Sequence, residues 1–254
     1  MKYDLENIFT FVKHDEQWIQ KLIIGSLFIV AMIVLFVIPF ISLAVVPIAS
    51  LPLFIICLFA AAIIGLGLYG YFFKTAQDYM NNPQTKLPQW SDFFSFVLIG
   101  LKGALGSIMY NLPFIIFNLV IVGFLLIFKA DNSKIFEVAT HMVDVVMQLF
   151  YIAYSLIYLV LEAVFIKKGF NPFQFLNFSE GYKMIKNNFI EYLILVVLYI
   201  AISTVLVACS FILFITIVGI VLIPFVIMYA CIISFVITAR FIQITDEQKS
   251  LQKN

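Results

Sequence analysis

The chain has 254 residues, of which 64% are hydrophobic and 11% are charged, and its formal net charge is +1. Soluble domains are about 45–50% apolar and about 25% charged, so this composition excludes an ordinary soluble domain, which needs polar side chains to cover its core. A net charge so close to zero also argues against a nucleic-acid partner.

Two membrane spans are predicted near the N-terminus, over residues 22–41 and 53–73. No Asp, Glu, Lys, Arg or His occurs between Lys21 and Lys74, and an ionised side chain at the bilayer centre costs at least roughly 2.5–3.5 kcal/mol. As one helix, this stretch would be more than twice as long as the ~30 Å hydrocarbon core, so it must turn back. The turn is marked by three prolines, which break helices: Pro39, Pro47 and Pro52.

The middle of the chain predicts two further spans, over residues 108–128 and 142–166. A polar loop that begins at Lys129 separates them. The second of these spans contains Asp144 and Glu162, which would be about 27 Å apart along a helix. One carboxylate can therefore lie at each face of the ~30 Å core.

The C-terminal part repeats the pattern of the N-terminal part. An uncharged run between Glu191 and Arg240 divides near residues 216–219, which predicts spans over 192–215 and 220–239. The predicted fold class is therefore all-α: a polytopic membrane helical bundle of about six transmembrane helices, forming a single integral membrane domain over residues 1–254.

Basic residues in short loops predict the orientation of the chain. Lysines are concentrated in the segments on the same side as the N-terminus, and the loops on the other side hold only Lys129 and Lys134. Because cytoplasmic loops carry the excess of Lys and Arg, we predict a multi-pass protein of the cell membrane with both termini in the cytoplasm.

Each pair of predicted spans is preceded by a segment with the apolar periodicity of a helix lying on the membrane surface. These interfacial helices are predicted over residues 4–12, 91–106 and 173–189. The second and third segments align at a constant offset, which matches three pairs: Phe94 with Phe175, Gly100 with Gly181, and Lys102 with Lys183. The sequence thus suggests a three-fold repeat of a surface helix followed by a membrane hairpin.

Gly65, Gly67 and Gly70 form a literal G-x-G-x-x-G pattern. A dinucleotide site would need a strand before these glycines and a helix after them. Here the glycines lie inside the second predicted span, so we interpret them as positions where a neighbouring helix approaches closely.

Four polar residues in the predicted spans or at their edges are candidate site residues: Asn118, His141, Asp144 and Glu162. His141 and Asp144 are three residues apart on one helical face and could share a proton or bind an ion, although the end of a helix at the interface also explains them. Asn118 is expected to form an interhelical hydrogen bond, and Glu162 to lie within reach of Lys167 or Lys168.

None of the predicted spans places an Asp, Glu, Lys, Arg or His at the bilayer midplane, where proton-coupled carriers and voltage sensors need one. Catalytic motifs such as H-E-x-x-H and G-x-S-x-G are absent from the sequence. We therefore predict no catalytic, cofactor-binding or metal-binding residue and no cofactor. Whether the protein is an enzyme stays open, and the sequence disfavours it.

A cluster of lysines near the third surface segment predicts contact with anionic lipid head groups: Lys167, Lys168, Lys183 and Lys186. Each contributes about 1 kcal/mol near a charged leaflet. The lipid bilayer is the partner that the sequence indicates, and protein partners stay open.

An ordered set of residues runs from the first predicted span into the third: Trp18, Lys21, Gly25, Gly70, Tyr71, Leu87, Pro88, Trp90, Asp92, Gly100, Lys102, Tyr110 and Pro113. With this order and spacing, the stretch resembles a family of bacterial and archaeal membrane proteins known only as domain of unknown function 4013. The resemblance implies a prokaryotic polytopic membrane protein with no assigned activity, so the roles of these positions are unknown.

Three functions remain open at this stage. The first is a structural, accessory or lipid-associated membrane component, which the surface helices and the lack of midplane charge favour. The second is a transporter or exporter of an uncharged or lipophilic solute through aromatic-rich spans. The third is a membrane enzyme acting on lipid head groups through His141, Asp144 and Glu162.

Overall fold

The computed structural model describes residues 3–45, 50–128 and 133–251, and these residues form helices and loops without a strand. The α-helices in chain order are α1 Leu5–Thr10, α2 Trp18–Val45, α3 Ser50–Asn81, α4 Phe93–Phe128, α5 Ser133–Lys167, α6 Phe178–Asn187, α7 Phe189–Phe214 and α8 Ile217–Leu251. The predicted turn residue Pro47 and the predicted loop residue Lys129 lie outside the described residues.

Six of the described helices are long and apolar enough to cross a membrane: α2, α3, α4, α5, α7 and α8. The predicted all-α fold with about six transmembrane helices is therefore confirmed. Such helices satisfy their own backbone hydrogen bonds, as a segment surrounded by lipid must.

The helices are longer than the spans predicted from the charges. α3 continues past residue 73 to Asn81 and α8 past residue 239 to Leu251. An ionised side chain marks where a helix leaves the hydrocarbon, but the backbone hydrogen bonds can continue in the more polar layer beyond. Lys74 and Asp78 even support the extension of α3, because they form an ion pair of 2.8 Å one turn apart.

The first predicted turn also differs in detail. Pro39 lies inside α2, which continues to Val45. The hydroxyl of Ser42 donates a hydrogen bond of 2.9 Å to the Pro39 carbonyl oxygen. A proline removes one backbone donor but leaves the other hydrogen bonds of the helix intact, so a proline inside a membrane helix need not end it.

The prediction of a separate helix over residues 91–106 is wrong. After a 3-10 turn at Trp90–Asp92, α4 runs without interruption from Phe93 to Phe128, through Pro113. No backbone break occurs near residue 107, so the amphipathic segment and the span form one helix. The periodicity indicated a helical face but could not show where that helix ends.

The other two surface segments are separate from the spans that follow them. Residues 173–189 form a 3-10 turn, Pro172–Leu176, and then α6, and Asn188 interrupts the helix before α7 with φ −135° and ψ 46°. The N-terminal segment consists of α1 and a 3-10 turn over Phe11–His14.

The chain divides into two compact units, of which unit 1 comprises residues 1–103 and 188–254 and unit 2 comprises residues 104–187. α8 is the central helix of unit 1, since it packs against α1, α2, α3 and α7. The single membrane domain predicted over the whole chain stays a prediction.

The core of unit 1 lies where α2 begins and where α3 and α8 end, here called the core end. Tyr3, Phe11, Leu22, Phe73 and Phe241 are almost completely buried there. In the remote halves of the same helices, large apolar side chains are exposed, with Phe59 at 70% and Val221 at 75%. Lipid satisfies such faces in a membrane, whereas water would not.

The end of α3 is held by α8 at the core end. The Gln243 side chain donates hydrogen bonds to the carbonyl oxygens of Tyr79 (3.1 Å) and Met80 (2.9 Å). The last carbonyl groups of a helix have no partner within that helix. Gln243 therefore serves as a tertiary cap for α3.

Unit 2 contains a hairpin in which α4 and α5 are joined through tyrosines. The rings of Tyr110 and Tyr154 stack with centroids 4.0 Å apart. The Tyr110 hydroxyl donates to the Tyr154 carbonyl oxygen at 2.6 Å, and the Tyr154 hydroxyl donates to the Tyr110 carbonyl oxygen in return. These reciprocal bonds fix the register of the two helices.

Candidate functional site

A buried ion pair lies at the core end of unit 1. Lys21 Nζ is 2.6 Å from Asp15 Oδ2, and the two side chains are 4% and 3% exposed. Lys21 Nζ also donates to the Leu87 carbonyl oxygen at 2.6 Å, while the Leu87 backbone N–H donates to Asp15 Oδ2 at 3.1 Å. Both side chains therefore form hydrogen bonds with the backbone of Leu87, in the loop that precedes α4.

Further hydrogen bonds keep the Asp15 carboxylate ionised. The Gln17 backbone N–H donates to Asp15 Oδ1 at 2.9 Å. Burial raises the pKa of Asp15, but the hydrogen bonds from Lys21, Gln17 and Leu87 and the charge of Lys21 outweigh it and hold that pKa below its ordinary value. Asp15 thus carries its negative charge at neutral pH.

Trp90 joins the same loop to α2 and α3. Its indole N–H donates to the Lys21 carbonyl oxygen at 2.9 Å. Its ring stacks on Tyr71 with centroids 4.1 Å apart and an angle of 5° between the planes. Tyr71 is completely buried, and its hydroxyl has no hydrogen-bond partner among the described residues.

Two glycines allow α3 and α4 to touch backbone to backbone. A Cβ atom on Gly70 would collide with the carbonyl oxygen of Phe96, and one on Gly100 would collide with that of Leu66. Gly67 packs against a side chain instead, the ring of Phe93. The glycine pattern therefore acts in helix packing, as the sequence indicated, and a phosphate-binding loop is not formed.

The core end thus collects most of the motif positions found in the sequence. Gly70, Tyr71, Trp90 and Gly100 lie together, and Trp18 begins α2 with its backbone N–H donating to the Asp15 carbonyl oxygen at 3.0 Å. We call Asp15, Lys21, Tyr71, Leu87 and Trp90 the motif cluster. Among the remaining positions, Pro88 is half-buried, Lys102 is exposed and Pro113 lies farther along α4.

Asp15 is the residue of this cluster that sequence reasoning missed. It stands six positions before Lys21, just outside the first predicted span. An acid close to the lysine that precedes the first span was an available signal, because a charge buried at that depth needs a partner.

The structure brings together two of the four polar candidates of the α4–α5 hairpin. Asn118 and Asp144 line one groove of about 420 Å³ in unit 2, together with Gln148. His141 is exposed, whereas Glu162 is buried farther along α5. The described residues do not include a group of three His, Cys, Asp or Glu side chains that could hold a metal ion.

Asn118 was predicted to form an interhelical hydrogen bond, but the observed bond lies within its own helix. Asn118 Nδ2 donates to the Phe114 carbonyl oxygen at 2.8 Å, one turn earlier in α4. A carbonyl group of the same helix is always within reach, so a short amide side chain can be satisfied without a second helix.

The lysines predicted to contact lipid lie on and near α6. Lys168 Nζ is 3.5 Å from Glu180 Oε1, and Lys167 is the last residue of α5. Lys183 and Lys186 are exposed on α6. α6 approaches α5 at Gly181, where a Cβ atom would be 3.1 Å from Leu161.

The profile of a family described as a protein of unknown function (DUF4013) matches residues 53–215, which is more than half of the chain. The chain belongs to this family. The DUF4013 match begins within α3 and extends to the end of α7, so it includes Gly70, Tyr71, Trp90 and Gly100 but not Asp15 or Lys21. Neither a curated protein nor a solved structure matches this DUF4013 member.

Proposed function

We propose that this multi-pass membrane protein is a non-catalytic, lipid-associated component of the cell membrane, with both termini in the cytoplasm. In this role the motif cluster holds the helices together, and α6 with its lysines contacts anionic head groups. The single observation that carries the proposal is the mixed surface of α6.

On α6, exposed aromatic side chains stand beside exposed lysines. Tyr182 is 65% exposed and Phe178 is 46% exposed, and Lys183 and Lys186 are exposed on the same short helix. Lys183 and Lys186 form no ion pair with any residue that the structure describes. Aromatic rings favour the head-group layer and lysines favour anionic lipid, so one helix offers both.

Apolar grooves in unit 1 support association with lipid chains. Met32, Ala61 and Gly65 line a groove of about 560 Å³ between α2 and α3. A second groove of about 320 Å³ lies between α7 and α8, where Leu198 and Ala201 form part of the lining. Hydrocarbon chains are the ordinary solvent of such surfaces in a bilayer.

Native mass spectrometry of the purified protein in mild detergent tests the proposal with phosphatidylglycerol as the probe. We expect the wild type to retain this lipid and the double variant Lys183→Gln, Lys186→Gln to bind it about thirtyfold more weakly, since each lysine contributes about 1 kcal/mol. Lys13→Gln is the matched control, because Lys13 is an exposed lysine in unit 1. Equal retention by the wild type and the double variant would contradict the proposal.

A further inference from the structure

We propose that the groove formed by Asn118, Asp144 and Gln148 in unit 2 binds a lipophilic organic monocation, such as a quaternary onium ion or a substituted ammonium. This inference goes beyond the lipid-associated role and does not depend on it. It concerns a ligand site at the end of the α4–α5 hairpin, remote along α5 from the lysines near Lys167.

The groove brings together polar groups that are distant in sequence. Asn118 comes from α4, while Asp144 and Gln148 are one turn apart on α5. The volume of about 420 Å³ is in the range of small-molecule sites. A lone carboxylate with two amides thus lines a space large enough for a small organic ligand.

Asp144 lies inside the candidate span Thr140–Lys167, near its N-terminal end, and Asn118 lies near the C-terminal end of the span Trp90–Gly123. Ionisable residues within spans are rare and usually pair with a charge or mark a ligand path. Among the side chains that the structure describes, none forms an ion pair with Asp144. A bound cation would be attracted to this carboxylate.

The amides and the aromatic rings fit the same ligand. Asn118 uses its N–H group on the Phe114 carbonyl, which leaves its side-chain oxygen as an acceptor. Phe114 and Tyr151 also line the groove, and aromatic faces attract cations. Met147 and Ile152 complete the lining with apolar surface, which favours a cation that carries hydrocarbon groups over a hydrated metal ion.

The charge of the groove decides against the other small-molecule classes. An anion would be repelled by Asp144, and a neutral solute would gain no attraction from its charge. A divalent metal ion keeps bound water molecules, which the apolar part of the lining does not favour. A monovalent organic cation balances the single negative charge.

Equilibrium dialysis of the full-length protein in detergent at pH 7.5, with labelled tetraphenylphosphonium as the probe, tests the inference. We expect saturable binding by the wild type and a loss of about tenfold or more in affinity for Asp144→Asn, because the charge partner is removed. Asp144→Glu should retain binding, and Gln148→Ala should weaken it by a smaller factor.

Glu16→Gln is the matched control, since it removes an exposed carboxylate outside the spans and should leave binding unchanged. Elution volume and melting temperature of Asp144→Asn should equal those of the wild type, because Asp144 is exposed. If that variant nevertheless misfolds, Gln148→Ala provides the same test with an uncharged residue.

Competition separates a cation site from simple partition into detergent. Triphenylphosphine oxide, which is similarly shaped but uncharged, should not displace the probe, whereas unlabelled tetraphenylphosphonium should. Displacement by phosphatidylethanolamine would assign the natural cation to a lipid head group, and its failure to compete would assign a free solute. Non-saturable uptake, or wild-type affinity in Asp144→Asn, would overturn the inference.

Discussion

Lys21 and Asp15 hold opposite charges at the edge of an apolar core, where neither can reach bulk water. Their side chains are 4% and 3% exposed, and both are bound to Leu87 as well as to each other. The attraction in such a pair mainly offsets the loss of hydration. The expected effect of the pair is therefore seen most clearly when one member is removed.

Lys21→Met retains most of the side-chain volume but leaves the ionised Asp15 carboxylate buried without its partner. We expect the free energy of unfolding to fall by about 3–5 kcal/mol, measured by denaturant unfolding in detergent micelles. Lys74→Met is the control, because Lys74 pairs with Asp78 at 36% and 25% exposure and should change stability by about 1 kcal/mol or less. Equal effects of the two substitutions would show that the buried pair is not special.

At the scale of elements, the contact of α3 with α4 depends on the absence of two side chains. Gly70 and Gly100 face the backbone of the opposite helix, so neither position can accommodate a methyl group without moving a whole helix. Flexible side chains can shift to accept a new atom, but a helical backbone held by its own hydrogen bonds cannot shift locally.

Gly100→Ala should therefore destabilise the protein by about 1–3 kcal/mol, the usual cost of overpacking, or by more if the helices separate. Gly123→Ala is a control in the same helix, since nothing lies within 4 Å of a Cβ atom placed there. That change should be neutral or stabilising by up to about 1 kcal/mol, because alanine favours helix over glycine. Thermal unfolding of both variants in one detergent provides the comparison, and an unaffected Gly100→Ala protein would contradict the contact.

At the scale of the whole molecule, the burial of side chains changes from one end of each long helix to the other. In unit 1 the buried side chains gather at the core end, and the remote halves expose large apolar groups such as Phe36 and Phe211. Water would not support such a surface, but hydrocarbon does. The Lys21–Asp15 pair and the cap from Gln243 both lie at the core end.

The proposed orientation places that core end in the cytoplasm. Cysteine labelling tests this after the native Cys57, Cys209 and Cys231 are replaced by alanine. A membrane-impermeant maleimide should label Thr216→Cys in intact cells and Lys249→Cys only in inverted vesicles, because cytoplasmic segments carry the excess of basic residues. Labelling of Lys249→Cys in intact cells would reverse the orientation.

The amino-acid sequence by itself determined that the helices are surrounded by lipid and that the fold class is all-α. Long stretches without Asp, Glu, Lys, Arg or His must lie in lipid, whatever packs against them, so the six spans could be counted from residue types alone. The family could also be recognised, because its motif residues keep their order and spacing along the chain.

Only the tertiary structure decided where the helices end and which polar residues meet. The end of α3 depends on contacts such as the Gln243 cap. The continuity of α4 depends on the lack of a break at Ser107, where the third segment has Asn188. The partners of Asp15 are likewise set by three-dimensional packing. Periodicity and charge report the environment of a residue, but they contain no information about which distant residue shares it.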